Sequence, residues 1–179
     1  MSTGMIHGRF QPFHNGHMAY LCRAAALCDT LVVGITNPDP AATAAEPEDP
    51  LRHLPESNPY SYRDRYRMIR DAAAEAGLDL TRIDIVPFPV NDRSLWGHYL
   101  PRGATQYIRI FSPWGERKRE LLTAAGFTVV DLAEGEAKRD SGSQVREALR
   151  DGTEWRPLVP SAVAHVMEEA SEERSHERS

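Results

Sequence analysis

Two cysteines, Cys22 and Cys28, are all that 179 residues carry. Both fall on one predicted helix, where their separation suits neither a disulfide nor a metal pair. A disulfide scaffold is therefore excluded, and reduced packing thiols in a cytoplasmic protein are expected. No apolar run approaches the ~18 residues of a membrane span, and the N-terminus lacks a charged-then-apolar signal segment, so no membrane partner is expected. A basic excess is missing as well. The 21 Lys and Arg stand against 26 Asp and Glu, a formal charge of −5, which removes the general positive footprint of a nucleic-acid binder. With 41% hydrophobic residues, the length suits one globular domain with a sizeable core.

What is present is concentrated in one stretch, Met5-Ile6-His7-Gly8-Arg9-Phe10-Gln11-Pro12-Phe13-His14-Asn15-Gly16-His17-Met18. Met5 to His7 can form a first strand, Gly8 and Pro12 punctuate a loop, and Asn15 or Gly16 can start a helix. That helix carries Met18, Leu21, Cys22 and Ala25 at helical spacing and is expected to run to about Cys28. A helix start presents backbone N–H groups and the positive end of the macrodipole, so it favours anions. His14 and His17 can point the same way there, Gly16 leaves room for a ligand at the backbone, and Arg9 adds a fork of donors suited to phosphate oxygens.

The rest of the chain alternates strands and helices. Leu31-Val32-Val33-Gly34-Ile35-Thr36 reads as a buried parallel strand. The Pro-, Ala- and acid-rich segment from Asn37 to Pro59 reads as either a flap over the ligand or a solvated insertion. A helix follows, capped by Ser61 with Asp64 and stopped near Gly77, its arginines alternating with acids on an outer face expected to be solvated. Ile83 to Val90 is the third strand candidate, Tyr107 to Phe111 the fourth and Phe127 to Leu132 the fifth. A helix lies between the last two, after the turn Ser112-Pro113-Trp114-Gly115. Ser141-Gly142-Ser143 opens another helix with Arg146 one turn into it, so hydroxyls, backbone donors and a guanidinium can converge on an anion; Lys138 and Arg139 add charge just before it. A closing helix is expected from Ser161 to Ala170, giving a domain over 1–170 and a disordered tail over 171–179. The pattern predicts an α/β fold, a Rossmann-like, doubly wound parallel sheet of about five strands with C-terminal helices.

Gly8 to His17 resembles the signature of the His-x-Gly-His nucleotidyltransferase superfamily. The longer match looks most like nicotinamide-mononucleotide (NMN) adenylyltransferases of the archaeal type. Ser141, Ser143 and Arg146 resemble the serine, threonine and arginine of that family's second motif, Ile-Ser-x-Thr-x-x-Arg, with Asp140 in place of the usual apolar residue. The segment Asn91 to Pro101 resembles the one whose tryptophan lies against the nicotinamide ring, a role that would fall to Trp96, with core filling as the alternative. The Ser112-Pro113-Trp114-Gly115 turn departs from the small Gly-Asn turn of the archaeal type, which leaves base and acceptor identity open.

The resemblance implies transfer of a nucleoside monophosphate from a nucleoside triphosphate to a small phosphorylated acceptor, with release of pyrophosphate. ATP and NMN, a step of NAD synthesis, are the favoured pair. Cytidylyl transfer from CTP to a small phosphate or phosphonate is the alternative, weakened by Gln11, where the usual cytidylyltransferases carry an acid. A nucleotide-binding sensor without turnover is a third reading. The implied catalytic residues are His14, His17, Arg146 and Arg9. The implied nucleotide site is Gly8, Arg9, Phe10, Phe13, His14, Gly16, His17, Ser141, Gly142, Ser143 and Arg146. The implied acceptor site is Trp96, Asn37, Ser112 and Trp114. No protein metal site is expected, because no cysteine or carboxylate stands at a suitable spacing, and Mg²⁺ would arrive mainly on the triphosphate. The oligomeric state, including a homo-oligomer, is not legible.

Overall fold

A computed structural model describes residues 1–39, 53–133 and 141–177. Five parallel strands, β1 (Thr3–Gly8), β2 (Thr30–Thr36), β3 (Ile83–Phe88), β4 (Thr105–Ile108) and β5 (Val129–Asp131), form a sheet in the order β3-β2-β1-β4-β5. The helices are α1 (Asn15–Ala25), α2 (Tyr62–Glu75), α3 (Trp96–Tyr99), α4 (Pro113–Ala124), α5 (Gly142–Asp151) and α6 (Ser161–Glu177). The order reverses between β1 and β4, so the ligand crevice of a doubly wound sheet falls at the carboxyl end of β1. The expected Rossmann-like α/β fold is what the chain forms.

The two faces of the sheet carry separate cores. Ile6, Leu31, Val33 and Ile35 pack against Leu21 of α1, Met68 and Ile69 of α2, and Val163 and Met167 of α6. Met5, Val32, Phe88 and Ile108 pack on the other face with Trp96, Leu100 and Leu122. Alternate residues of β1 and β2 feed opposite cores, which is why both strands read as unbroken apolar runs. β3 is an edge strand, so Pro87 sits in it opposite Ile35 at no cost to an inner ladder.

Several expectations need correction. Helix α1 ends at Ala25 rather than near Cys28, and Cys28 lies buried beyond it; both cysteines are free. β4 stops at Ile108, because Ile110 earns its apolar character by packing on the second core, not by strand pairing. Residues 171–177 are not a loose tail but the last turns of α6, where Glu173 pairs with Arg63 of α2 at 3.8 Å and Arg174 reaches the Pro59 carbonyl and lies over the Tyr60 ring. The arginines of α2 are not uniformly solvated: Arg65 is 2% exposed. Lys138, Arg139, Asp140 and most of the 37–59 segment lie outside the described residues. Among the described residues no helix is long and apolar enough to cross a membrane.

Candidate active site

A cleft of about 250 Å³ opens at the carboxyl rim between β1 and β4. Its lining includes Gly8, Arg9, Phe10, His14, His17, Ser141, Gly142, Ser143 and Arg146, so the two motifs, more than 120 residues apart in sequence, meet there. Ser112 and Trp114 line it too. Four expected residues, Phe13, Gly16, Asn37 and Trp96, are not part of the lining. Phe13 is fully buried behind the loop, Gly16 contributes a carbonyl that accepts from Arg109 at 2.7 Å, and Asn37 stands just past the end of β2.

The histidines are built into the start of α1. His14 is its N-cap, and its carbonyl accepts from the His17 and Met18 amides at 2.8 and 3.0 Å. The His14 N–H donates to Nδ1 of His17 at 3.3 Å, and the two rings stack at 3.7 Å with the Phe10 ring edge-on to His17 at 4.9 Å. A backbone amide can only donate, so Nδ1 of His17 accepts and Nε2 carries that ring's proton. The imidazole is thereby a preset Nε2–H donor at a helix N-terminus, suited to a phosphate oxygen.

Helix α5 approaches the same loop. Ser141 caps it, with its hydroxyl accepting from the Gln144 amide, while the Gln144 side chain accepts from the Ser141 N–H. Arg146 donates to the Gln11 carbonyl at 2.5 Å and to Ser143 Oγ at 3.2 Å. Gly142 is required by this approach: a Cβ there would stand 2.7 Å from the Gln11 carbonyl oxygen and 3.0 Å from Nη1 of Arg146. Gly142→Ala is accordingly expected to cost about 1–3 kcal/mol and to push α5 off the loop, with a loss of turnover larger than the loss of stability accounts for. Thermal unfolding and pyrophosphate release measured together check this; unchanged values for both would show that the contact is not tight.

Gln11 has a role the sequence does not announce. Its side-chain amide donates to the Tyr60 carbonyl at 2.9 Å and accepts from the Tyr60 amide at 3.0 Å, both buried. The residue thus staples the loop to the start of α2 and offers the cleft its backbone. Burial pushes the Tyr60 phenol up to about 12, against the opposing charge of Arg174, so it stays neutral beside this staple.

Trp96 does not line the cleft. It is 4% exposed, packs on Phe88 with ring centroids 5.8 Å apart, and donates from Nε1 to the Val90 carbonyl at 3.2 Å. The expectation that it faces an acceptor ring is overturned by burial in the second core.

The lining also includes His7, Tyr20, Arg109 and Lys118, which are not among the expected site residues. Arg109 was hidden inside the overlong fourth strand; because β4 ends at Ile108, it begins the rim loop instead, with its guanidinium 4.6 Å over the Tyr20 ring. Tyr20 donates to the Tyr107 carbonyl, and burial raises its pKa while Arg109 opposes the rise. His7 sits near the end of β1, edge-on to Phe88 at 5.3 Å. Its position one residue before the motif was the available signal; Lys118 had none.

Among the described residues the lining holds four permanent cations, Arg9, Arg109, Lys118 and Arg146, three imidazoles and no carboxylate. The chain as a whole is negative, yet charges beyond about 8 Å are screened at physiological salt, so the local cations decide what binds. Among the described residues no cluster of three or more His, Cys, Asp or Glu could hold a metal. The cleft is built for polyanions and for stabilising charge that shifts between phosphate oxygens.

A parallel sheet with a cation-lined cleft over two helix starts has the layout a nucleotidyltransferase needs. The profile of the cytidylyltransferase-like family matches residues 5–148, and the chain belongs to that family. It is 45% identical over 167 residues to a phosphonoformate cytidylyltransferase of Streptomyces viridochromogenes, covering 93% of this chain and 91% of that one. It is 30% identical over 165 residues to a nicotinamide-nucleotide adenylyltransferase of Picrophilus torridus, covering 92% and 89%. In structure it is similar to a bifunctional NMN adenylyltransferase/ADP ribose pyrophosphatase of Francisella tularensis. The TM-score is 0.65 at 16% identity, over 88% of this chain and less than half of that one, which shows a shared fold.

Proposed function

We propose that this enzyme transfers the cytidylyl group of CTP to a small phosphonate or phosphate acceptor and releases pyrophosphate. The observation that carries this reading is the burial of Trp96. With that indole in the core, the tryptophan implied for a nicotinamide ring does not line the cleft; Trp114 does, from the turn where this chain departs from the archaeal type. The 45% identity to a phosphonoformate cytidylyltransferase, against 30% to the archaeal adenylyltransferase, supports the same choice. Gln11 no longer argues against it, because its amide is spent on the Tyr60 backbone.

In this reading an acceptor oxygen attacks the α-phosphorus of Mg·CTP; the new P–O bond forms as the bond to the bridging α–β oxygen breaks, and its electrons leave on pyrophosphate. No nucleophilic side chain is needed, and the protein acts by positioning and by stabilising charge. We assign His14 and His17 to the α- and β-phosphate region, Arg146 and Ser143 with the α5 amides to the β/γ end, and Arg9 to triphosphate or acceptor phosphate. We assign Ser112 and Trp114, which line the cleft, to the second substrate, with Asn37 just past the end of β2. Mg²⁺ belongs to the substrate complex, as the lining supplies cations rather than carboxylates.

The test is pyrophosphate release across ATP, CTP, GTP and UTP, each with phosphonoformate, with NMN and with neither. Release from CTP that depends on phosphonoformate is expected. NMN-dependent release from ATP would overturn the reading in favour of NAD synthesis.

A further inference from the structure

Arg65 lies on α2, outside the cleft lining, and is one of the largest fully buried side chains in the protein. Its guanidinium donates from Nη1 to the carbonyls of Arg9 at 3.0 Å and Thr36 at 2.8 Å, from Nη2 to Asn37 at 2.9 Å, and from Nε to Ser61 at 3.2 Å. Burial draws its pKa down to about 10, so the charge persists at neutral pH. One side chain therefore ties the loop after β1, the end of β2 and the start of α2 into a single rim.

The carbonyls it holds are not arbitrary. Among the described residues only two non-glycine residues have positive φ, Phe10 at 54° and Asn37 at 50°. The Arg9 carbonyl belongs to the peptide unit that enters Phe10; the Thr36 and Asn37 carbonyls belong to the units on either side of Asn37. A residue with a side chain costs roughly 1–2 kcal/mol in the left-handed region, least for asparagine, and stays there only when its surroundings over-determine it. Phe10 in turn sets the ring edge against His17, and Arg9 beside it lines the cleft.

We propose that Arg65 is a positioning residue for nucleotidyl transfer: it clamps the turns after β1 and β2 in their left-handed conformations and so fixes Arg9, Phe10 and, through Phe10, His17 against the phosphates. The role belongs to the transfer chemistry of the family and holds for any nucleotide and acceptor pair. It acts through the loop and not by touching substrate.

The experiment compares the wild type with Arg65→Ala at a temperature where thermal unfolding shows the variant folded, using whichever substrate pair releases pyrophosphate. Per folded molecule, kcat is expected to fall about a hundredfold, with KM for the nucleotide rising by less than about tenfold. Millimolar guanidinium chloride, far below denaturing levels, is expected to enter the vacated site and restore much of kcat to Arg65→Ala while leaving the wild type unaffected. A folded variant with wild-type kcat, or a loss equal to its unfolded fraction, would overturn the proposal. If Arg65→Ala does not fold, Arg65→Lys, which keeps the charge but cannot span the four carbonyls, is read by the same criteria. Should the wild type turn over no pair tested, the substrate reading fails separately, and calorimetric affinity for Mg·CTP becomes the readout: weakened and restored by guanidinium supports the clamp, unchanged affinity overturns it.

Discussion

Replacement of His17 by alanine is expected to lower kcat by about 10²–10³-fold, roughly 3–4 kcal/mol of barrier, the size of one lost donor to developing phosphate charge. The effect follows from the ring's preset proton: Nδ1 accepts the His14 amide at 3.3 Å, so Nε2–H donates, and no reorganisation is needed as charge moves toward the leaving pyrophosphate. A stability cost of about 1 kcal/mol should accompany it, since the same contact helps to cap α1. His17→Asn separates the two effects. Its side-chain oxygen can still accept the His14 amide, so stability should largely return while turnover stays low. Steady-state pyrophosphate release and denaturant unfolding on both variants check this, and unchanged turnover in His17→Ala would remove the residue from the phosphate site.

The largest stability effect should come from Trp96. Truncation to alanine deletes an indole that packs on Phe88 and lies with Met5, Val32 and Leu100 in the second core, at an expected cost of about 3–5 kcal/mol. Domains commonly hold only about 5–15 kcal/mol in all, so the variant should unfold at markedly lower denaturant. Trp96→Phe keeps most of the apolar contact but leaves the Val90 carbonyl without its donor, which should cost about 1–3 kcal/mol. In both variants the acceptor KM of the folded fraction should match the wild type. Normal stability with a weakened acceptor KM would return Trp96 to the substrate.

Trp96, placed against a ring by resemblance, and Arg65, placed on a solvated face by charge alternation, are both buried where the local sequence does not announce it. Each sits among polar residues, in Asn-Asp-Arg-Ser-Leu-Trp-Gly-His and Tyr-Arg-Asp-Arg-Tyr-Arg, and a polar neighbourhood is the ordinary mark of a surface. What buries Trp96 is Phe88 and the sheet below it; what holds Arg65 inside is a set of carbonyls from two distant segments, Arg9 and Thr36–Asn37. Neither partner set is local. The last turns of α6 were read as a tail for the same reason, since residues 171–177 have little apolar content and are held instead by Arg174 at Pro59 and an exposed Arg63–Glu173 pair. Such exposed pairs are individually weak, so composition gave no hint of order.

Gln11 shows how a motif can point to the chemistry and mislead about the substrate. Its type suggested a vote on the base, but its side-chain amide is paired in both directions with the Tyr60 backbone. His14, His17, Ser143 and Arg146 line the cleft from the starts of two helices, while Arg9 and Phe10 line it from the loop after β1.

By itself the sequence determined the fold class, the two helix-start motifs and the polyanion chemistry between them, because each rests on short-range rules: apolar periodicity, turn residues and N-caps. The tertiary structure decided which arginines line the cleft and which is buried behind its rim, that Trp96 is core, and that Arg109 and Lys118 join the cationic wall. Those assignments depend on which distant segments meet, and a side chain's role is set by the partners folding brings to it.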